Sequence, residues 1–332
     1  KTQPGRIAPE VEASIVQLRR QYPALGAGKL HKMMENMGCE NLPCARTFNN
    51  IFARNHLISK EASLAAKHIQ RFEKEQPNVM WQTDFKGHFA LANGFRCHPL
   101  NILDDHSRFC LCIESLENET FSSVKPVFDR VFSEFGLPFS LLCDNGNPWG
   151  TSQSTGYTAF EVWLMELGVL TLHGRPLHPQ TQGKQERFNR SFTRECLAGK
   201  TFRDLADAQK AFDDYRAFYN TVRPHSALEL AVPASVYSTS PRPFPSLIEH
   251  WEYGNDCQLC KVKQTGYFSF GGQGYFLSEA FRGKYIAVRE SHLPGQITLL
   301  FRQFRIGRID REKRVFTTKR ISRLAGDPRE NV

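Results

Sequence analysis

Apolar residues recur at helical spacing through the first sixty positions, and then the rhythm changes. Val11, Ile15 and Leu18 form one stripe that Pro23 closes, and Leu30, Met33, Met34 and Met37 form a second that ends at Gly38. A third begins near Pro43, with Phe48, Ile51, Phe52 and Leu57 on its apolar side and Arg46, Asn49, Asn50 and Arg54 on its polar side. Three short helices, the last offering such side chains, predict a helix-turn-helix-type module. A plain three-helix bundle with a solvated face satisfies the same pattern. After "HIQRFEKEQPN" the period drops to two. "VMWQTDFKGHFAL", "FRCHPLNILD" and "RFCLCIESL" predict strands, with Gly94 and "DDHS" supplying turns.

Helices and strands then alternate. "TFSSVKPVFDRVFSEFG" predicts a helix closing on Gly136, "PFSLLCDNG" a strand, "TAFEVWLMELG" a helix and "VLTLHG" a short strand. From about 180 to 220 the pattern is helical again. Three antiparallel strands followed by alternating elements predict a mixed-sheet α/β domain. Beyond the Pro-rich "STSPRPFPS", whose stretch near 240–246 is expected to be a linker that gives the following domain reach, the helical period fades. "KVKQTGYFSFGGQGYFL", "KYIAVRE", "ITLLFRQFRIGRID" and "RVFTTKRI" predict a small all-β domain, barrel-like or a sandwich.

Composition narrows the partners. The 332 residues are 40% hydrophobic and 12% aromatic, enough for several buried cores. Forty-three Lys and Arg against 34 Asp and Glu give a net charge of +9, which favours an anionic partner, most simply nucleic acid. No stretch approaches eighteen apolar residues, so no membrane span is expected. The start, "KTQPGRIAPE", has neither an initiator Met nor a signal-peptide core and reads as a fragment. Of nine cysteines, Cys97, Cys110, Cys112 and Cys143 lie in strand-like runs and read as reduced core residues of a cytosolic protein. Cys257 and Cys260 make a lone CxxC without the second ligand pair that zinc needs.

Three carboxylates stand where a fold of this class can gather them. Asp84 lies inside the first strand, on the side shared with Gln82, Lys86 and His88. Asp144 sits at the exit of the fourth strand, before Asn145 and Gly146, and Glu186 lies in the first turns of a helix. Buried together they repel unless cations are bound, and hard oxygen ligands select Mg²⁺ or Mn²⁺ over zinc. Singly, Asp144 also reads as a turn-forming residue and Glu186 as a solvated helix charge.

As an ordered set, "WQTDF", "LLCDNG" and "HPQTQGKQERFNR" resemble the catalytic core of retroviral-type integrases and DDE insertion-sequence transposases. "NILDDHSRF" and "YNTVRPHSAL" are similar to the bacterial insertion-sequence members in particular. The resemblance covers residues 78 to 240, roughly half of the chain. It implies an RNase H-like core in which Asp84, Asp144 and Glu186 are the catalytic acids holding two Mg²⁺ ions, with Mn²⁺ as a substitute. It also implies a division into a helical DNA-binding domain (1–62), a linker (63–77), the core (78–240) and a small β domain (241–332). Gln182, Asn189, Arg190 and Thr193 share the helical face of Glu186, and Lys184 and Arg187 flank it, so Gln182, Lys184, Arg187, Asn189 and Arg190 are expected to contact DNA. Arg46, Asn49, Asn50 and Arg54 are expected to read element ends, and Lys261, Lys263, Arg302, Arg305 and Arg308 to meet DNA backbone.

The 42 positions from Asp144 to Glu186 exceed the family's usual spacing, and "NPWGTSQSTGYTAF" accommodates the excess as a loop. Glu161 and Glu166 lack the Gln-Gly-Lys context of Glu186. Asp104 and Asp105 are rivals for the second acid, although "DDHS" suits a turn, and His178 stands close enough in sequence to touch substrate. The resemblance further implies a transposase that cleaves element ends, transfers the 3′-OH into target DNA and works as a homodimer or higher oligomer. A bacterial cytoplasmic protein associated with the nucleoid fits that reading. A nuclease of the same fold and a DNA-binding regulator without chemistry are the competing readings.

Overall fold

The computed structural model describes residues 7–58, 74–150, 156–174, 183–291 and 293–323. The helical start is α1 (Pro9–Gln21), α2 (Ala27–Asn36) and α3 (Ala45–Arg54). α1 opens on a proline, whose missing N–H costs nothing at a helix start. It carries Glu10 and Glu12 in its first turn and Arg19 and Arg20 in its last, charges that oppose the helix dipole. Ile15, Leu30, Met33, Phe48 and Ile51 are buried in one small core, which continues into the next domain where Tyr22 stacks on Phe218 at 5.0 Å.

The central domain is built on β1 (Met80–Phe85), β2 (Phe89–Ala90), β3 (Arg96–Asp104), β4 (Cys110–Leu116), β5 (Ser140–Cys143) and β6 (Leu170–His173). Its main strands lie in the order β4-β3-β1-β5-β6, antiparallel through β1 and parallel from β1 to β6. This is the mixed sheet that the alternation predicts. Two cores sandwich it. On one face α4 (Phe121–Phe135) and α5 (Ala159–Glu166) bring Phe128, Phe132, Phe160 and Trp163 against Trp81, Leu100, Ile102 and Leu141. On the other, α6 (Gly183–Phe192) and α7 (Leu205–Thr221) pack Phe188, Phe192, Phe212 and Tyr219 on Cys97, Leu103 and Cys110. After α6 the chain continues as a single π-helical turn, Thr193–Leu197.

The C-terminal strands are β7 (Gln258–Lys261), β8 (Tyr267–Phe270), β9 (Gln273–Phe276), β10 (Tyr285–Glu290), β11 (Gln296–Phe301), β12 (Phe304–Asp310) and β13 (Val315–Arg323). Five form an antiparallel sheet, β13-β12-β11-β10-β7, and β8 and β9 form a separate hairpin. Gly271 and Gly272 both have positive φ, as the tight turn of that hairpin requires. The pairing among the described strands is thus a linear sheet plus a hairpin around one core, an all-β domain without a recorded ring closure. β7 was not expected from the sequence.

α5 is buried all round because it serves two domains. Phe160, Trp163 and Leu164 face the sheet, whereas Val162 and Met165 join Tyr157 in the core of the β domain. The Pro-rich segment before that domain corrects one expectation. Read as a linker that lends reach, it is instead fastened to the core. The Arg242 guanidinium donates to the carbonyls of Pro138, Leu167 and Gly168, and Phe244 packs on Phe132. The Ser240 amide donates to the Phe135 carbonyl at 2.8 Å.

Candidate active site

Strand register decides where the acids stand. β1 and β5 are parallel neighbours, with Met80 beside Ser140, Trp81 beside Leu141 and Gln82 beside Leu142. Asp84 stands two positions past Gln82 in β1 and Asp144 directly follows the last residue of β5, close enough for its charge to act on Asp84. Side chains alternate along a strand, so the partners Trp81, Leu141 and Cys143 enter the α4–α5 core while Asp84 and Asp144 project toward α6. Neighbouring strands lie about 4.8 Å apart, close enough for two carboxylates to repel. Burial, and then the Asp144 charge, push the Asp84 carboxyl from 3.8 up to about 6, against hydrogen bonds from Asn189 and the Phe85 amide. Asp144 accepts from the Gly146 amide at 3.0 Å, so its "DNG" turn and its place beside Asp84 coexist.

Helix α6 is tied to Asp84 and to β3 by a run of amides. Gln185 donates through Nε2 to Asn101 Oδ1, Asn101 donates to Asn189 Oδ1 at 3.0 Å, and Asn189 donates to Asp84 Oδ2 at 2.9 Å. Asn101 is the cross-strand partner of Asp84 in β3, so the run spans two strands and one helix. Gln185 and Asn189, four apart, define the inward face; Glu186, Arg187 and Arg190 are exposed. Among the described residues, no three His, Cys, Asp or Glu side chains stand close enough to hold a metal ion together. The structure therefore joins Asp84 with Asp144 and sets Glu186 on the open side of the neighbouring helix. Gln182 and His178 lie outside the described residues.

Several expected DNA contacts have internal partners instead. Lys184 reaches Asp105 Oδ2 at 2.6 Å, and Asn189 is committed to Asp84 and Asn101, while Arg187 and Arg190 beside Glu186 are exposed. Arg54 donates to both carboxylate oxygens of Glu12 and ties α3 to α1. Arg46, Asn49 and Asn50 remain exposed along α3. In the β domain Lys261, Lys263 and Arg308 are exposed, while Arg302 lies over the Trp251 ring at 5.8 Å and donates to the Glu249 carbonyl. Arg305 is half-buried, with its Nε unpartnered.

The rival acids have structural employment. Asp104 accepts from the Asn78 amide at 2.7 Å and from the amide and hydroxyl of Ser107. Asp105 accepts from Gln82 Nε2 at 2.6 Å and from the Lys74 amide. Both are buried.

Nothing local in the sequence marks His173, at the end of β6. Its Nδ1 lies 2.7 Å from the Asp144 carbonyl oxygen and its Nε2 3.0 Å from Glu161 Oε1. Burial works against a charged ring here. The bonds to Glu161 and to the Asp144 carbonyl, with the charges of both acids, outweigh it and hold the His173 pKa above its ordinary value. Glu161 is buried at the third position of α5, and its other oxygen accepts from the Thr158 amide at 2.7 Å. The Thr-x-x-Glu spacing of that capping box was visible in the sequence; the His was not, because nothing local joins it to Glu161.

Residues 74–179 and 167–233 match integrase core domains, and residues 257–317 match the C-terminal domain of the IS481 family transposase. An uncharacterized 39.2 kDa protein of insertion element IS476 from Xanthomonas euvesicatoria is 27% identical over 226 residues, which is 68% of this chain and 63% of that protein. The match thus spans less than two thirds of the relative's length. An uncharacterized 31.7 kDa protein of insertion element IS407 from Burkholderia multivorans is 29% identical over 67% of this chain and 78% of its own. The HTLV-2 integrase catalytic core domain, solved in complex with magnesium in a dimeric form, is 15% identical. It covers 49% of this chain and 97% of that one with a TM-score of 0.35, a likeness too loose to argue from. No described helix is long and apolar enough to cross a membrane.

Proposed function

We propose that the chain belongs with the insertion-element transposases that carry an integrase core, and that it cuts DNA at element ends and joins the freed 3′-OH to target DNA. The reaction is an in-line phosphoryl transfer in which Asp84, Asp144 and Glu186 hold two Mg²⁺ ions, with Mn²⁺ as substitute. One observation carries the reading: Asp84 in β1 and Asp144 at the exit of its parallel neighbour β5 stand close enough to act on each other, and Asp84 is bonded by a helix that bears a third acid.

The donor set fits such ions. Its groups are carboxylate oxygens, and Asp84 is half-buried beside a like charge that a bound cation would neutralise. When bound, a pair of divalent cations activates the attacking oxygen and stabilises the leaving oxygen of the displacement. Asn189 holds the Asp84 carboxylate in one orientation and keeps α6 against the sheet. Residues three apart on a helix lie about 5–6 Å from one another, and Asn189, three residues after Glu186, already touches Asp84. Arg187 and Arg190 flank Glu186 on the exposed surface and suit the phosphates on either side of the cut.

In this reading residues 1–62 recognise element ends through α3, residues 78–240 are the RNase H-like catalytic core and residues 241–332 meet DNA backbone. Two ends must be processed together by cores that each hold one site, so two or more protomers bridge them, a twofold dimer being the simplest closed form. The test is a strand-transfer assay on end-containing oligonucleotides with Mg²⁺. Joined products are expected from the native chain, and a loss of several orders of magnitude from Asp84→Asn, Asp144→Asn or Glu186→Gln with DNA binding retained. Cutting without joining makes the protein a nuclease; binding without cutting makes it a regulator.

A further inference from the structure

Glu161 and His173 belong to neither the acid set nor the DNA surface, yet His173 reaches the Asp144 main chain and Glu161 holds His173. The His173 ring lies between two oxygens: the Asp144 carbonyl at Nδ1, 2.7 Å away, and the Glu161 carboxyl at Nε2, 3.0 Å away. Glu161 cannot swing away to relieve this arrangement. It is buried, and its second oxygen takes the amide and hydroxyl of Thr158 at the start of α5.

The rest of the pocket is cut to the ring. A Cβ added at Gly150 would come within 3.0 Å of His173 Cε1 and 3.2 Å of the Asn145 carbonyl. Asn145 Nδ2 donates to the Gly174 carbonyl at 3.1 Å, and the Gly174 amide donates to the Cys143 carbonyl at 3.2 Å. The exit of β5 is thus bound to the exit of β6 on both sides of Asp144. The only side chain that grips the Asp144 main chain directly among these contacts is His173.

We propose that Glu161 and His173 form a positioning clamp for the proposed metal site: the ring, held by Glu161, fixes the Asp144 carbonyl and thereby aims the Asp144 carboxylate at the ground it shares with Asp84. This rests on the reading of Asp84 and Asp144 as metal ligands and adds to it two residues that touch neither metal nor DNA.

The test is Mn²⁺ binding to the full chain without DNA, followed by the electron paramagnetic resonance of the free ion, beside strand transfer as a function of Mn²⁺. Groups that orient a ligand commonly change metal affinity by roughly 10–100-fold. His173→Phe is expected to weaken Mn²⁺ binding within that range and to raise the Mn²⁺ needed for half-maximal transfer in parallel, with DNA affinity unchanged. His173→Asn places an amide donor near the position of Nδ1 and is expected to recover most of the affinity. Where His173→Phe fails to fold, Glu161→Gln keeps an acceptor for Thr158 and carries the same measurement, with weaker Mn²⁺ binding expected. Asp144→Asn is the control. If it abolishes Mn²⁺ binding while the clamp variants bind as the native chain does, the clamp is overturned and the metal site stands. If none of these variants, Asp144→Asn included, alters Mn²⁺ binding, both are overturned.

Discussion

Asp84→Asn should make the metal-free protein more stable, and more so at neutral than at acidic pH. Folding moves this carboxyl from 3.8 to about 6, first through burial and then through the charge of Asp144. At about 1.4 kcal/mol per decade of proton affinity, that shift amounts to about 3 kcal/mol. The sign follows from linkage. The folded state holds the proton more tightly, so the group opposes folding once it is ionised in both states, above pH 6. The opposition disappears below 3.8, where both states are protonated. Asparagine removes the charge and still offers an oxygen to the Asn189 amide. Its advantage over the native chain is therefore about 3 kcal/mol at pH 7.5 and about half that at pH 5. Urea unfolding in the presence of EDTA, followed by tryptophan fluorescence, measures it, because Trp81, Trp149 and Trp163 all lie in the core on one face of this sheet. An equal advantage at both pH values, or none at either, would refute the reasoning, since neither a strained nor a freely solvated carboxylate produces that pH dependence.

Glu195 accepts from Arg223 at 2.7 and 2.8 Å, with both side chains buried where α7 ends. Glu195→Ala should cost about 3–5 kcal/mol by leaving the guanidinium unpaired, and adding Arg223→Met should restore most of it in the same unfolding assay. Arg46→Ala and Asn50→Ala, on the exposed side of α3, should remove preference for end sequence in competition binding while salt-sensitive nonspecific binding persists. Arg54→Ala should instead lower the melting temperature of the helical domain, because Arg54 is engaged with Glu12.

The mixed sheet was legible because its code is local. Alternation in "MWQTDF" and an apolar run ending at "DNG" give both the strands and the places where two acids leave them. The third acid was legible only through the company of Gln, Gly and Lys around Glu186. What escaped is what depends on contacts far apart in sequence. Lys184 and Asn189 read as DNA-facing groups, yet their partners, Asp105 and Asp84, come from the sheet. The segment at 240–246 reads as loose because proline resists regular structure, but Arg242 binds it to carbonyls more than seventy residues upstream. Strand β7 is four residues, "QLCK", with three of its positions exposed and too little apolar alternation to register. His173 lies 12 residues from Glu161 and 29 from Asp144, and only the parallel pairing of β5 with β6 brings the three together.

The central claim is that Asp84, Asp144 and Glu186 share divalent cations on DNA. Anomalous diffraction from crystals of the full chain with an element-end duplex and Mn²⁺ tests it most directly. The account predicts manganese peaks between Asp84 and Asp144 with Glu186 turned in from α6 to coordinate. Manganese held elsewhere, by Asp105 or Glu161 for example, or held by the two aspartates with Glu186 still facing solvent, would contradict it.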